Sequence, residues 1–300
     1  METELEQAVA DAEQAGPEET RLSVDVFLAV GLHVAGYGPK KLSLRTQVRR
    51  FREMYGCHPT VVREVWYDLK KHVPENTKLT YLFWALFFLR KYPTDGDLAT
   101  RVNKDPTTVR KWVWTIIFGL QDLKAEKIRF PQNGFELTFI LSVDGTDCRI
   151  EEPRPFNKSW FSQKFKGPGV KYEVALDVLT GRCVWISGPY RASKSEITIY
   201  REEGLMNLIP EGKLVVADKG LRGEPNTVSF PNSLDDDDVA ELKKRIRARQ
   251  ETFFARMKSF KVLKESFRHK PVLEKHKACF EAVAVLVQYG IDNGFPLFRI

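Results

Sequence analysis

Hydrophobic positions along the chain change period once. Through Ile128 they recur every three to four residues, and beyond Pro131 they alternate or run together in short blocks. The first spacing predicts helices and the second strands. Val24 to Val34 is a short helix stopped by Gly36-Tyr37-Gly38-Pro39. Ser43 is a good N-cap for a helix that places Leu44, Val48, Phe51 and Tyr55 on one face and ends at Gly56. A second helix follows His58-Pro59-Thr60 through Trp66. Tyr81 to Leu89, the longest apolar run at nine residues, is too short to span a bilayer and predicts a buried helix. Leu98 to Val102 is a short helix, Asn103 to Asp105 a turn, and Pro106 opens another helix.

The turn Gln132-Asn133-Gly134 marks a boundary between the two regimes. Phe135 to Asp144 then reads as a strand, with Leu137, Phe139, Leu141 and Val143 alternating with Thr138, Ile140 and Ser142. It stops on Asp144, and Gly145 lets the chain turn away. Tyr172 to Val178 is a second strand. Thr180-Gly181-Arg182 is a hairpin turn, and Cys183 to Ser187 is a third strand closed by Gly188-Pro189. Ser195 to Ile209 reads as a helix. Leu214 to Ala217 is a short strand of the fully buried type that ends on Asp218. Residues 222–238 form an exposed loop, whose acidic run Asp235 to Asp238 is read as solvated surface. Val239 to Lys264 and Leu273 to Asp292 are the last two helices. The expected layout is an acidic mobile tail (1–20), an all-α region (21–131) and an α/β domain (132–300). The sheet of that domain is mixed: three antiparallel strands, then a parallel one, with flanking helices.

Charge adds a partner to this picture. The chain of 300 residues has a net charge of +7, but residues 1–20 hold seven acidic and no basic side chains. The remaining 280 residues therefore carry +14. A body this basic suits a polyanion. The four cysteines (Cys57, Cys148, Cys183, Cys279) form no C-x-x-C pair, which argues against a zinc site and a disulfide framework. Reduced thiols in an intracellular protein without a signal peptide or membrane span are expected.

Two stretches share a pattern. Pro59-Thr60-x-Val62-Arg63 and Pro106-Thr107-x-Val109-Arg110 superpose without a gap. A short helix, a tight turn and a helix that opens on small polar and then basic residues is a helix-turn-helix arrangement. Its second helix would offer Thr107, Thr108, Arg110 and Lys111 to double-stranded DNA. The plain alternative is a helical bundle with a solvated basic face.

Asp144 and Asp218 each end an apolar strand, and in a mixed sheet with those strands adjacent their ends lie side by side. A third acid then comes from a helix packed on the sheet. In the long basic helix, Arg247, Glu251, Phe254 and Lys258 share one face, and Glu251 is the sole acid between Glu241 and Glu265. Taken singly, Glu251 is a salt-bridging residue and the two aspartates are turn formers. Together, three converging carboxylates need divalent cations to stay ionised. Two Mg²⁺ or Mn²⁺ ions about 4 Å apart support phosphodiester cleavage. Arg247 and Lys258 are the basic groups expected to meet phosphates near the site.

These residues carry a resemblance. S-V-D-G-T-D-C (142–148), G-P-G-V-K-Y-E-V (167–174), V-W-I-S-G-P (184–189), A-D-K-G (217–220) and R-A-R-Q-E-T-F-F-A-R-M-K (247–258) occur in order. The stretch 135–300 resembles the DDE endonuclease domain of Harbinger-type transposases, and F-R-H (267–269) and P-L-F (296–298) resemble its end. The resemblance implies an RNase H-like core and a catalytic triad at Asp144, Asp218 and Glu251, spaced by 74 and 33 positions. It also implies metal-dependent cleavage of DNA in the nucleus, joining of the freed 3′-hydroxyl to target DNA, and an accessory DNA-binding subunit. A homodimer is a further expectation. The chain departs from the family at Leu221, where an aromatic is usual, and at Gln250, where His is common. The alternative is a catalytically silent, transposase-derived DNA-binding protein. A structural adaptor using the aromatic helix at 79–89 ranks lower. V-D-G-T-D also invites comparison with haloacid dehalogenase-like phosphatases, but their nucleophilic aspartate is replaced here by Ser142. Asp147 stands outside the triad as a neighbour that tunes it.

Overall fold

The computed structural model describes residues 21–38, 42–131, 136–155 and 157–300. The expected tail (1–20), the Pro39 breaker, the turn at 132–134 and Phe135 lie outside the described residues. The chain divides into two compact units. The first holds the chain up to Lys124 with Ser259–Val262 and Glu281–Gly294, and the second holds Ala125–Lys258, Leu263–Phe280 and Phe295–Ile300.

The first unit is helical where the 3.6-residue period predicts it. Its helices are α1 (Val24–Val34), α2 (Leu44–Tyr55), α3 (Pro59–Leu69), α4 (Leu79–Lys91), α5 (Asp95–Val102) and α6 (Pro106–Asp122). Ser43 caps α2 through the Thr46 N–H, and Gly56 closes it in the left-handed conformation at φ 77°. The run expected to be a buried helix lies within α4, where Leu82, Phe83, Ala85, Leu86 and Leu89 are fully buried. Phe51 and Tyr55 of α2 meet Phe83 of α4 edge-on and tilted, at 5.8 and 4.9 Å between ring centres. The two proline-led helices start alike. His58 accepts from the Thr60 N–H, Asp105 accepts from the Thr107 and Thr108 N–H groups, and Val62 and Val109 are both buried.

After α7 (Lys124–Lys127) the second unit builds a six-stranded mixed sheet. Its strands are β1 (Phe139–Arg149), β2 (Phe161–Ser162), β3 (Gly167–Asp177), β4 (Cys183–Arg191), β5 (Leu214–Val216) and β6 (Val228–Ser229). The order is β2-β3-β1-β5-β6, with β4 also on β3. β1, β3 and β4 pair antiparallel, while β5 lies parallel to β1 and β6 parallel to β5. Flanked by helices, this sheet is consistent with an RNase H-like core.

Two layers cover the sheet. Leu141, Val143, Ala175, Val215 and Ala217 pack with Tyr200, Leu205 and Ile209 from α8 (Glu196–Glu202), α9 (Leu205–Leu208) and the chain after them. Val216 and Val178 instead pack with Ile246 of α10 (Asp237–Lys258). The short α11 (Lys261–Lys264) and the long α12 (Val272–Asp292) follow. In the second unit, Tyr172 of β3 bonds His276 of α12 at 2.8 Å and stacks on Phe280 at 3.7 Å.

Four differences from the sequence expectations have local causes. The first strand does not stop at Asp144. Antiparallel pairing with β3 continues through Gly145↔Glu173 to Arg149↔Gly169, so Gly145 sits inside a strand. Gly188-Pro189 does not close β4, which pairs on to Arg191 across a register shift. The helix expected at 195–209 is two helices, parted by Gly204 in the left-handed conformation at φ 87°. The loop at 222–238 contains β6, and its acidic run is not all solvated: Asp235 accepts from the buried Lys243 ammonium at 2.6 Å.

Candidate active site

Register places the first two acids. β1 and β5 run parallel, with Ser142 opposite Val216, so two residues further on Asp144 and Asp218 arrive at the same edge. Alternation along each strand assigns both to the face that α10 covers, because Ser142 and Val216 already meet that helix. Each aspartate folds a carboxylate oxygen back onto a backbone N–H that follows it in the chain. Asp144 accepts from the Gly145 N–H at 2.8 Å, and Asp218 from the Gly220 N–H at 2.6 Å.

The third member of the cluster is Glu196, the first residue of α8. Atoms from the Asp144, Glu196 and Asp218 carboxylates all lie within 4.8 Å of one another. Ser195 caps α8 through the Thr198 N–H and so fixes where Glu196 begins. Two glycines clear its path. A Cβ on Gly145 would stand 2.6 Å from Glu196 Oε1, and one on Gly220 would stand 2.5 Å from Oε2. Neither glycine adopts positive φ, so both are required by close approach rather than by a turn. The sequence alone does not single out Glu196, because a glutamate in a first helical turn is ordinary. The signal was in those glycines, each within two residues of a cluster aspartate.

Glu251 reaches the same place from the other side. A narrow cavity of about 20 Å³ is lined by Ser142, Asp144, Asp218, Arg247, Gln250 and Glu251. Gln250 anchors that stretch of α10. It accepts from the Ser142 hydroxyl at 2.6 Å, and its amide donates to the Val174 carbonyl at 3.2 Å, all in the buried interior. Glu251 itself is exposed and stands outside the tight three-carboxylate cluster. Arg247, exposed, shares the cavity as the helical spacing predicts. Lys258, half-buried, lies near enough to Cys148 to favour its thiolate, though burial dominates and lifts that thiol to about 12.

The charge balance at the cluster is uneven. Lys164, from the turn between β2 and β3, donates to the Gly145 carbonyl at 2.6 Å and pairs with Glu196 at 3.2 Å. One ammonium does not offset three carboxylates. Burial, with Glu196 and Asp218 alongside, lifts Asp144 to about 6 against the pull of Lys164. On the neighbouring strand, Glu173 is fully buried with no hydrogen-bond partner for either oxygen. Burial and the charges of Glu196 and Asp144 raise it to about 8, so near neutral pH it holds a proton. A crowded group of acidic oxygens, two of its neighbours stripped to glycine, is a donor set suited to a hard divalent cation.

The remaining predicted site residues lie in the first unit. Thr107, Thr108, Arg110 and Lys111 are exposed in the first turns of α6. Arg110 is ion-paired to Asp95 at 2.6 Å, and the Lys111 ammonium lies 5.4 Å from the centre of the Trp112 ring. All four cysteines are buried, and none is in a disulfide. Among the described residues, no helix is long and apolar enough to cross a membrane. No curated protein is a match for the chain. Residues 143–288, which contain Asp144, Glu196, Asp218 and Glu251, match the family model of the DDE superfamily endonucleases.

Proposed function

We propose that the second unit is a divalent-cation-dependent DNA endonuclease of the Harbinger transposase type, with Asp144 and Asp218 as its central ligands. The observation that carries this reading is the convergence of Asp144, Glu196 and Asp218 within 4.8 Å inside the stretch that matches the endonuclease family. The two aspartates stand between Glu196 on one side and Glu251 on the other. Asp144, Asp218, Glu196 and Glu251 are the residues that would hold a pair of Mg²⁺ or Mn²⁺ ions. Such ions supply activation of water and neutralisation of charge on the leaving oxygen.

The chain's own groups do the rest. Arg247 at the cavity and Lys258 further along α10 hold the DNA backbone by charge, without reading its sequence. Lys164 neutralises part of the acidic cluster before DNA arrives. Gln250 holds Glu251 in register through its bonds to Ser142 and Val174. Cleavage leaves a 3′-hydroxyl, and a transposase would direct that hydroxyl to a second DNA in the nucleus. Thr107, Thr108, Arg110 and Lys111 on α6 are the surface that would engage duplex DNA in a groove. A second copy of the chain and a separate DNA-binding subunit are the partners such a reaction would recruit.

The test is nicking of supercoiled duplex DNA by the purified protein, with and without Mg²⁺. Wild type is expected to nick only with the cation, and Asp144→Ala and Asp218→Ala to lose nicking. Glu196→Gln and Glu251→Gln are each expected to lower the rate at least about 100-fold, as ligands of the cations. Equal nicking by wild type and Asp144→Ala overturns the reading.

A further inference from the structure

A second cavity of about 570 Å³ lies in the same unit, beside the cluster described above. It lies within the size range of small-ligand pockets. Asp147, Lys158, Phe161, Lys164 and Lys171 line it, together with Ser193. Lys164 connects the two places, since its ammonium bonds the Gly145 carbonyl and Glu196.

Asp147 is the unexplained member. It is 7% exposed, and the Ser162 hydroxyl donates to its Oδ2. Its Oδ1 is buried with no hydrogen-bond partner. A buried carboxylate oxygen left without a donor is costly, and Asp147 is one of the residues that line the cavity. Lys171 is 9% exposed and donates to the Lys194 carbonyl at 2.8 Å, while Lys158 stands exposed at the rim. Three ammonium groups disfavour a metal cation at Asp147, and the Asp147 carboxylate disfavours a bare anion deep in the cavity. The occupant must bring a hydrogen-bond donor to Asp147 and a negative charge to the lysines. Phe161 adds an apolar ring to the wall.

A nucleotide has these three parts in one molecule: a base with N–H donors, a flat face and a phosphate. We propose that this cavity is a subsite for one unpaired nucleotide of the DNA strand, its base donating to Asp147 Oδ1 against Phe161 and its phosphate lying against Lys158. The proposal rests on the DNA-cleaving reading above and deepens it, because a nucleotide held here adjoins the acidic cluster through Lys164. Base–aromatic stacking and the Asp147 bond both require that base to be out of the duplex.

The experiment is calorimetric titration of the full chain in EDTA with two probes of equal charge, thymidine 5′-monophosphate and 2-deoxyribose 5-phosphate. The nucleotide is expected to bind at least about tenfold more tightly than the sugar phosphate. Asp147→Ala is expected to remove that advantage and leave the sugar phosphate unchanged, while Lys158→Ala weakens both. Equal affinity for the two probes overturns the proposal, as does an advantage that survives Asp147→Ala. Should Asp147→Ala not fold, the probe comparison on wild type and on the exposed-site variant Lys158→Ala decides alone. Probe discrimination without Mg²⁺-dependent nicking overturns only the cleavage reading. Nicking without discrimination overturns only the subsite.

Discussion

At the scale of single residues, Gly145 and Gly220 decide whether Glu196 joins the aspartates. An added Cβ at Gly145 meets only the Glu196 side chain, while one at Gly220 also meets Asp218 Oδ1 at 2.8 Å, so at Gly145 the fold tolerates the change while Glu196 alone is pushed away. Gly145→Ala is therefore expected to lower Mn²⁺ affinity about 10–100-fold with a small change in melting temperature, read by titration and thermal denaturation on the same sample. Unchanged affinity would mean that Glu196 is not a ligand. The acids also set a pH dependence. Asp144 at about 6 and Glu173 at about 8 hold protons in the folded chain that their ordinary values would release near pH 4. The folded state thus binds more protons than the unfolded state, and stability falls as pH rises from about 4 to about 8. Denaturant melts in EDTA should show that decline, and Glu173→Gln should flatten its upper part. A rise over that range would contradict the charge balance described here. Asp144 and Asp218 were legible in the sequence as positions, because a carboxylate at the end of an apolar block is unusual. Glu196 was not, since it reaches the cluster from a separate helix and its only trace is two glycines that also suit turns.

At the scale of elements, the register of β1 against β5 is what turns two distant aspartates into neighbours. That pairing followed from the fully apolar Leu214–Val216 block, which suits a buried parallel strand. The continuation of β1 past Asp144 was not legible, because Gly145-Thr146 reads as a turn until β3 is present to pair with it. The short β6 was hidden for a similar reason, as two residues carry no period. Helix α10 is held by Gln250, which bridges Ser142 and the Val174 carbonyl. Gln250→Ala removes the acceptor of the buried Ser142 hydroxyl and a donor to the Val174 carbonyl, and is expected to cost about 1–3 kcal/mol, measured as a shift in the urea midpoint. It should also lower nicking activity beyond the loss of folded protein, since Glu251 follows directly. A variant with unchanged midpoint would show that the bridge does not anchor the helix. In the helical unit, Asp105 satisfies two N–H groups at the start of α6. Asp105→Ala should destabilise that helix by about 1 kcal/mol, seen as faster amide exchange at Thr107 and Thr108.

At the scale of the whole molecule, the change of hydrophobic period separates helical from α/β sequence. Parts of the C-terminal sequence, Ser259–Val262 and Glu281–Gly294, nevertheless belong to the helical unit. No local pattern foretells that return, because a long amphipathic helix such as α12 shows only that it is buried, not by what. The net charge of +14 beyond residue 20 agrees with a polyanionic substrate for the acidic centre in the second unit. The most direct test of that centre is anomalous diffraction from crystals soaked in Mn²⁺. A peak bonded to Asp144, Asp218 and Glu196, absent in Asp144→Ala, is the predicted result. No peak at saturating Mn²⁺, or one ligated by none of these three, would contradict it.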